Sequence, residues 1–394
     1  MRLKSSEGPR EPRICMPTFS AFARNAFRTS SREAQDVLVD CDDVDLIHLE
    51  PSNGFAFREK WLKRLVYHDM SRRLVLLNPG LRPVRLTRDY DVFMLVCPWW
   101  QDVWYANAIQ GWRDRCGTSV CWIEELWAGD LPQLQSWLPV LSRFDHVIVG
   151  VPESGKALGD AIGRPCHEIL AGVDTIRFSP YPNPPARVID VYSIGRRLDG
   201  IHRALFNLGA RKEMFYIYDT LDNGGNSETP DYLQHRDLFA KVAKRSRFFM
   251  VAPGKKNVPG QINRQVCVGS RYFAGSAAGA VLVGQAPDCE LFRRHFDWPH
   301  AVIEIQPDGS DAVEVISRLS AEPERLREIS CRNAEETLRR HDWVYRWREI
   351  LGIAGLKPTP AMDAREKRLG ELAELARETA PSLQGVRGFG LPPR

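Results

Sequence analysis

The residues best suited to chemistry in this sequence are two arginines that follow an apolar strand. Ser193–Ile194–Gly195–Arg196–Arg197 ends the strand with a glycine turn, and Arg203 follows seven residues after Arg196. A guanidinium presents a fixed fork of donors that matches phosphate oxygens, and cations here stabilise the charge that develops on a diphosphate leaving group. The pattern predicts a phosphate site containing Gly195 and Arg203, with Arg196 as a catalytic candidate. Solvation or salt bridging is the alternative for Arg197 and Arg203.

A glycine turn that opens a helix of small residues is a second candidate anion site. Gly269, Ser270 and Arg271 lead into the helix, whose free N–H groups and dipole attract negative charge. Gly279, at the end of the same segment, permits a close approach to a ligand or a strand. It is equally typical of a plain helix C-cap, and packing is the alternative role for the whole segment.

Tryptophans cluster in the first half, where seven of the eleven fall between Trp99 and Trp137. Trp99, Trp100 and Trp127 follow predicted strand ends. Their faces suit sugar rings or flat apolar acceptors, and the indole N–H suits a hydroxyl, so they are predicted to bind the acceptor. Trp104 and Trp112 lie on one amphipathic stretch and are predicted to pack in the core.

Charged residues follow two other predicted strands. Glu124 and Glu125 come just after one of them; a carboxylate there can orient an acceptor hydroxyl, which makes Glu124 a second catalytic candidate, while capping the next segment is the alternative. Lys255 and Lys256 follow another strand within reach of phosphates, although a solvated loop is the simpler interpretation. Asp43–Asp45 matches a DxD pattern but runs into a strand, so no metal site is predicted.

Short apolar runs that alternate with helical patterns must position these side chains. Such alternation predicts βαβ units and mostly parallel sheets. The predicted strands are Val44–Leu49, Leu74–Leu77, Asp91–Val96, Ser119–Ile123, His146–Val149, Val188–Ser193, Met214–Tyr218, Phe248–Val251, Ala280–Val283 and Ala301–Ile305. The predicted helices are Phe57–His68, Val103–Arg115, Gln133–Phe144, His202–Leu208, Tyr232–Ala243, Asp311–Leu319, Arg325–Trp347 and Met362–Glu378.

A proline-rich stretch divides the chain into two halves. Tyr181–Pro182–Asn183–Pro184–Pro185 contains three prolines, and neither a helix nor a central strand continues through such a run. The predicted organisation is listed along the chain: a disordered tail over 1–13, an α/β domain over 14–176, a linker over 177–186, a second α/β domain over 187–340, closing helices over 341–380 and a flexible tail over 381–394. Ligands are expected between the domains, beyond the carboxyl ends of the strands.

Composition excludes several classes of protein. The 394 residues suit two domains of ~150–200 residues each, and 43% hydrophobic with 26% charged residues is typical of globular proteins. A net charge of +4 with scattered basic residues does not indicate a nucleic-acid partner. No apolar run approaches the ~20 residues of a membrane span, which leaves peripheral membrane contact open. Nine dispersed cysteines without a CxxC pair indicate free thiols and a cytoplasmic location.

With these motifs in place, the chain resembles a GT-B glycosyltransferase of the retaining family-4 kind, in the branch related to spore-maturation glycosyltransferase-like domains. The resemblance rests on Gly172–Val173–Asp174–Thr175–Ile176–Arg177–Phe178–Ser179–Pro180, on the glycine–arginine turn, and on Asp342–Trp343 with Tyr345–Arg346 in the closing helix. It implies two Rossmann-like, doubly wound domains facing across a cleft, with a C-terminal helix crossing back to the first domain. The first domain would bind the acceptor and the second a nucleotide sugar.

The resemblance also implies roles for single residues. Gly269 falls on the turn whose amides meet the donor diphosphate, and Arg271 fits an R-x-F-E pattern in which Ala274 replaces the glutamate that holds the ribose. The first acid of the family's E-x7-E pair falls on Val266. Because the ribose contact is a charge-assisted hydrogen bond, its loss costs roughly 1.5–3 kcal/mol. Arg271 or Glu290 is the predicted substitute. Elsewhere, a family lysine falls on Ile201, with Arg203 nearby.

The predicted function is transfer of a sugar from a nucleotide diphosphate sugar to a hydroxyl of a glycan, lipid-linked glycan or small molecule. The resemblance implies a metal-independent, retaining reaction that needs no cofactor beyond the donor substrate. The main alternative is a pseudo-glycosyltransferase that binds sugar nucleotides or a partner subunit without turnover, as Ala274 suggests. A non-hydrolysing sugar-nucleotide epimerase on the same fold ranks last, because the sequence shows no convincing acid/base pair.

Overall fold

Two parallel sheets, one in each half of the chain, organise the protein. The computed structural model describes residues 11–67, 74–195, 197–219, 227–255 and 265–381. The first half contributes a six-stranded sheet and the second half a five-stranded sheet, and every strand pair in both is parallel. The predicted α/β class with two doubly wound units is therefore confirmed.

The strands are short and mostly buried runs of apolar residues. They are β1 Ile14–Thr18, β2 Val44–His48, β3 Val84–Arg85, β4 Tyr90–Trp99, β5 Ile109–Gln110, β6 Cys116–Glu125, β7 His146–Val149, β8 Cys166–Glu168, β9 Ile189–Ser193, β10 Tyr216–Tyr218, β11 Ser246–Val251, β12 Val281–Gly284 and β13 Ile303–Glu304. β3 and β5 form a separate parallel pair.

The helices are α1 Thr29–Cys41, α2 Phe55–Tyr67, α3 Trp112–Arg115, α4 Leu131–Leu134, α5 Leu138–Leu141, α6 Gly155–Ile162, α7 Thr175–Phe178, α8 Asp199–Ala210, α9 Tyr232–Lys244, α10 Ser270–Ala277, α11 Glu290–His295, α12 Ala312–Ser320, α13 Pro323–Arg340, α14 Trp343–Ile353 and α15 Pro360–Thr379. Among the described residues, no helix combines the length and the apolar character needed to cross a bilayer.

Strand order creates one crevice at the carboxyl edge of each sheet. The first sheet runs β2-β1-β4-β6-β7-β8, so the chain goes from β1 to a neighbour on one side and then returns to β4 on the other. The second runs β10-β9-β11-β12-β13, with the same reversal between β9 and β11. Parallel sheets bind ligands at such switch points, because the two connections leave in opposite directions and open a gap.

The C-terminal helices cross back and complete the core of the first half. Trp122 of β6 meets Trp343 and Trp347 edge-to-face, at centroid distances of 5.4 and 5.6 Å. Trp347 also donates its indole N–H to the carbonyl oxygen of Ala34, at 2.7 Å. These three tryptophans are fully buried, and aromatic pairs of this geometry add stability beyond their buried area. The predicted return of the chain to the first half is thus confirmed.

Some predicted elements differ from the structure for local reasons. Arg325–Trp347 is two helices rather than one, because the Asp342 carboxylate accepts the N–H of Val344 at 2.9 Å and so caps a new helix. Leu74–Leu77 was predicted as a strand, but Leu74–Leu76 forms a 3₁₀ turn. Val103–Arg115 was predicted as a helix, yet it divides into the end of a 3₁₀ segment, β5 and α3.

Candidate functional site

The carboxyl edges of the two sheets face each other directly. Lys255, just after β11, places its Nζ 3.0 Å from Oε1 of Glu125 at the end of β6. The same ammonium lies 5.0 and 4.9 Å from the ring centroids of Trp99 and Trp127. Its side chain is only 11% exposed, so the solvated-loop interpretation of Lys255 is wrong. Lys256 lies outside the described residues.

A shallow, half-open cavity of about 20 Å³ lies at the switch point of the second sheet. Its wall includes Ser193 at the end of β9, Ala252 just after β11, and the side chains of Arg197, His202 and Arg271. Every one of these belongs to a carboxyl strand end or to the helix that follows one. The cavity therefore occupies the position where a doubly wound domain binds its ligand.

The turn after β9 is held by an acid that sequence reasoning missed. Gly195 adopts a φ of 78°, a left-handed conformation that glycine reaches without strain, and its N–H points at both carboxylate oxygens of Asp219 at 3.0 Å. Arg197 pairs with the same carboxylate at 3.1 Å, as the salt-bridge alternative expected. The signal for Asp219 was its position directly after β10, the neighbour of β9. Arg196 lies outside the described residues.

Arg271 spans the mouth of the crevice. Its Nη1 donates to the carbonyl oxygen of Ile194 at 3.2 Å, and its Nη2 donates to that of Ala252 at 3.3 Å. The guanidinium thus joins the ends of β9 and β11 while also lining the cavity. It places a positive charge at the predicted phosphate site.

The glycine turn before α10 is open to a ligand. Gly269 has an ordinary φ of −69° as the N-cap, and a Cβ added there would meet nothing within 4 Å. Ser270 begins the helix. Gly279, in contrast, lies at the far end of α10, where an added Cβ would come 2.8 Å from Arg187 Nη2 and 3.1 Å from the carbonyl of Ser330. Close packing and its φ of 63° support the C-cap alternative for Gly279, and its donor contact stays a prediction.

Of the predicted ribose contacts, Arg271 lines the cavity, whereas Ala274 and Glu290 are not part of its wall. Ala274 is 1% exposed within an apolar cluster. Glu290 begins α11 with a side chain that is 71% exposed and pairs with Arg294 at 3.2 Å, and its role at the ribose stays a prediction. Arg203 is exposed on α8. His202 is half-buried and its Nδ1 lies 2.9 Å from the hydroxyl of Tyr216.

A second shallow cavity, of about 10 Å³, lies at the switch point of the first sheet. Thr18 at the end of β1 and the side chains of Arg28, Ser31, Arg32 and Gln35 contribute to its wall. Arg28 forms a two-pronged ion pair with buried Asp102, at 2.7 and 3.1 Å. Each sheet thus has a cavity with arginine side chains in its wall at the edge that faces the other half.

Glu124 adjoins this second cavity at the end of β6. Its Oε2 accepts the hydroxyl of Ser31 at 2.8 Å, whereas its buried Oε1 has no hydrogen-bond partner among the described residues. Burial raises the pKa of Glu124 to about 7, although the Ser31 hydrogen bond and the charge of Arg236 oppose the shift. A carboxyl group that changes protonation near neutrality suits proton transfer or the orientation of a hydroxyl.

The three tryptophans predicted to bind an acceptor have different environments. Trp99 is partly buried at the cleft beneath Lys255. Trp100 is 3% exposed and packs edge-to-face on Trp137 at 5.6 Å. Trp127 is 1% exposed and donates its indole N–H to Glu125 at 2.9 Å. Core packing covers Trp100 and Lys255 covers Trp127, so of the three only Trp99 is partly exposed, and the acceptor role of all three stays a prediction. Trp104 and Trp112 pack in the core as predicted.

Buried contacts between the halves fix the two edges relative to each other. Glu33 of α1 forms a two-pronged pair with Arg236 of α9, at 2.7 and 2.8 Å. Gln265 reaches from the second half to accept the N–H of Ala128 at 2.7 Å and to donate to Ser154 at 3.0 Å. Sequence reasoning missed these residues, because the two members of each contact lie more than a hundred positions apart.

Comparison with known families and structures adds to this geometry. Residues 213–352 match a family model described as glycosyl transferase-like. A search of curated proteins found no match to the sequence.

Solved structures with a similar fold include an α-glucosyltransferase in complex with UDP and a 13-mer DNA containing a central A:G mismatch. It has a TM-score of 0.51 and 10% identity, over 87% of this chain and 100% of that one. HepE from Anabaena in complex with UDP-glucose has a TM-score of 0.50 and 11% identity, over 87% and 99% of the two chains. At these identities the likeness establishes the fold.

Proposed function

We propose that the chain, whose residues 213–352 match a glycosyl transferase-like family model on a GT-B fold, acts as a glycosyltransferase. It transfers a sugar from a nucleotide diphosphate sugar to a hydroxyl of an acceptor. The observation that carries the proposal is the pair of arginine-lined cavities at the two switch points, on edges that Lys255 and Glu125 bring into contact. Donor and acceptor bound there would meet between the halves.

The donor belongs to the cavity of the second half. The open turn at Gly269 and Ser270 offers backbone N–H groups to the diphosphate. Arg271 supplies a positive charge from the cavity wall, and Arg203, exposed on α8, complements it. Arg196 keeps its proposed role as the arginine that stabilises the leaving diphosphate.

The acceptor belongs to the cavity of the first half, beside Glu124. Ser31 lines that cavity and donates to Glu124, so the carboxylate stands at its border with one oxygen uncommitted. We assign Glu124 to orienting the acceptor hydroxyl. Glycans, lipid-linked glycans and small molecules are the proposed acceptors, and nucleic acid is not among them.

The proposed reaction is metal-independent and retains the anomeric configuration. The bond between the anomeric carbon and the diphosphate oxygen breaks while a bond to the acceptor oxygen forms on the same face of the sugar. The acceptor proton passes to the departing phosphate oxygen, while Glu124 holds the hydroxyl on that face of the sugar. Buried contacts such as Glu33–Arg236 keep the halves together and help to exclude water from the donor.

Binding of a sugar nucleotide without turnover is the second candidate function. Two observations favour it: Ala274 is packed in the core where a ribose-binding glutamate was expected, and Arg271 already donates to two backbone carbonyls. A protein of this kind would act as a sensor or partner subunit.

A donor panel separates the two candidates. The full chain is incubated with UDP-, GDP-, ADP- and TDP-sugars, with and without acceptors from cell extract, and release of nucleoside diphosphate is measured. We expect acceptor-dependent release from at least one donor, strongly reduced in Glu124→Gln. Thermal stabilisation by a donor without any release would support the binding protein instead.

Location and surface character complete the proposal. All nine cysteines are free, which supports a reducing compartment, the cytoplasm.

On α2, Phe57 and Trp61 are 66% and 54% exposed beside the exposed Arg58, Lys60 and Arg64. Aromatic and basic side chains on one helix suit an anionic lipid surface, so we place peripheral membrane contact here. Co-sedimentation with vesicles, compared between the wild type and Trp61→Ser, tests it.

A further inference from the structure

The cavity of the first half contains a buried cation without a matching acid. Arg32 is 7% exposed and lines the cavity. Its Nη2 donates to the carbonyl oxygens of Ala23 and Ser20. Within the described part of the chain, no carboxylate forms an ion pair with this guanidinium, and its remaining nitrogens donate to no protein acceptor.

Neighbouring groups compensate this charge only in part. Arg28, in the same wall, is neutralised by Asp102. Asp36, the acid whose charge acts on Arg32, accepts the hydroxyl of Tyr232 with both oxygens, at 2.8 and 2.9 Å. Burial lowers the pKa of Arg32, and the charges of Arg28 and Arg24 act in the same direction, whereas Tyr232 and Asp36 oppose the shift. Since none of the described carboxylates contacts the guanidinium, the wall retains a positive charge that is only partly compensated.

The guanidinium is also fixed in place. Its carbon lies 5.2 Å from the ring centroid of Tyr232, which projects from the other half of the molecule. A buried charge is costly unless an opposite charge accompanies it, and an arginine held rigidly at a cavity wall is typical of an oxyanion site. Ser31, the next residue along α1, connects the same cavity to Glu124.

We propose that the acceptor carries an oxyanion, a phosphate or carboxylate group, which binds to Arg32 while the hydroxyl that receives the sugar lies near Glu124. That the bound anion belongs to the acceptor rests on the proposed function, whereas the anion site at Arg32 does not. The class of substrate is an anionic hydroxyl compound, such as a phosphorylated sugar or polyol or the headgroup of an anionic lipid.

The test measures binding of phosphate probes to the full chain saturated with UDP, which occupies the phosphate site of the second half. Glycerol phosphate serves as the soluble probe, and phosphatidylglycerol vesicles, compared with phosphatidylcholine vesicles, represent a lipid headgroup. We expect at least one probe to bind the wild type and to bind Arg32→Gln at least ~10-fold more weakly. The control Arg24→Gln removes a nearby exposed charge and should remain within about two-fold of the wild type. Preference for one probe identifies the source of the phosphate.

A second variant guards against misfolding of Arg32→Gln. Arg32→Lys keeps the charge but loses the fork, so it should bind the same probe with intermediate affinity. Equal affinities of the wild type and both Arg32 variants would overturn the proposal, as would binding that saturating UDP abolishes. If UDP fails to bind while phosphate binding still depends on Arg32, the anion site stands and the proposed transferase function falls.

Discussion

The two facing edges of the protein use their polar side chains differently. At the edge of the second half, Arg197 and Asp219 bind each other and Arg271 binds strand-end carbonyls, so side chains hold the crevice in shape. At the edge of the first half, Oε1 of Glu124 is buried without a partner and Arg32 forms no ion pair, as far as the described residues extend. Under the proposed function, the donor would be held largely by backbone and fixed charge, whereas side chains of the first half would recognise and orient the acceptor.

The largest expected effect is on turnover. Glu124→Gln should lower kcat by about 10²-fold, because the amide does not hold the acceptor hydroxyl as strongly as the carboxylate does. Glu125→Gln, one residue away, loses its ion pair with Lys255 and should cost less than about ten-fold. Rates of sugar transfer at saturating donor check both variants. Equal losses in the two would show that Glu124 has no special role.

The same carboxyl group sets a pH dependence. Burial raises the pKa of Glu124 to about 7, and the ionised form is the one that accepts a hydrogen bond from the acceptor. Transfer should therefore increase as the pH rises through about 7 and level off above it. The residual activity of Glu124→Gln should lack this step, and a step that persists in the variant would assign the titration to another group.

The buried ion pair between Glu33 and Arg236, which joins the two halves, should contribute the next largest effect, on stability. Arg236→Met leaves buried Glu33 without its ion-pair partner and with only the N–H groups of Asp174 and Trp343 as donors; breaking a buried pair typically costs about 3–5 kcal/mol. Lys156→Gln removes an exposed pair with Asp160 and should cost less than about 1 kcal/mol. Urea unfolding of the two variants provides the comparison. Similar small losses would mean that the halves are held together elsewhere.

The free energy of unfolding should depend on pH, because ionising the buried Glu124 is unfavourable. A pKa raised from 4.5 to about 7 means that the folded state binds the proton more tightly than the unfolded chain. Stability is therefore lost as the pH rises from about 4.5 to about 7. Glu124→Gln avoids this loss, so the variant should gain about 2–3 kcal/mol relative to the wild type between pH 5 and pH 8. A pH-independent difference between the two proteins would contradict the burial of this carboxyl.

Substitutions of two glycines in the second half should have the smallest effects, one on stability and the other on UDP binding. Gly195→Ala forces an alanine into a φ of 78° and should cost about 1–2 kcal/mol of stability. Gly269→Ala has an ordinary φ and open space, so stability should change little. Its methyl group should nevertheless weaken UDP binding, because the donor would occupy that space. Thermal unfolding and UDP titration of both variants check the contrast.

Local patterns predict much of the fold and less of the site. β7 was predicted with its observed bounds, His146–Val149, because a buried apolar run needs no tertiary information. β1, whose Ile14–Thr18 contains a proline, was missed because its burial comes from pairing with β2 and β4. Glu124 was found from its position after a strand. Arg32 was not found, because the local sequence does not show whether an arginine has an acidic partner in the folded chain.

Binding of the donor at the edge of the second half, and not at that of the first, is tested most directly by hydrogen–deuterium exchange of the full chain with and without UDP. The account predicts protection of backbone amides after β11 and at the start of α10, around Gly269 and Ser270, with no change at Arg28–Gln35 of the first half. Protection confined to the first-half edge, or absent from the Gly269 turn while UDP is bound, would contradict it.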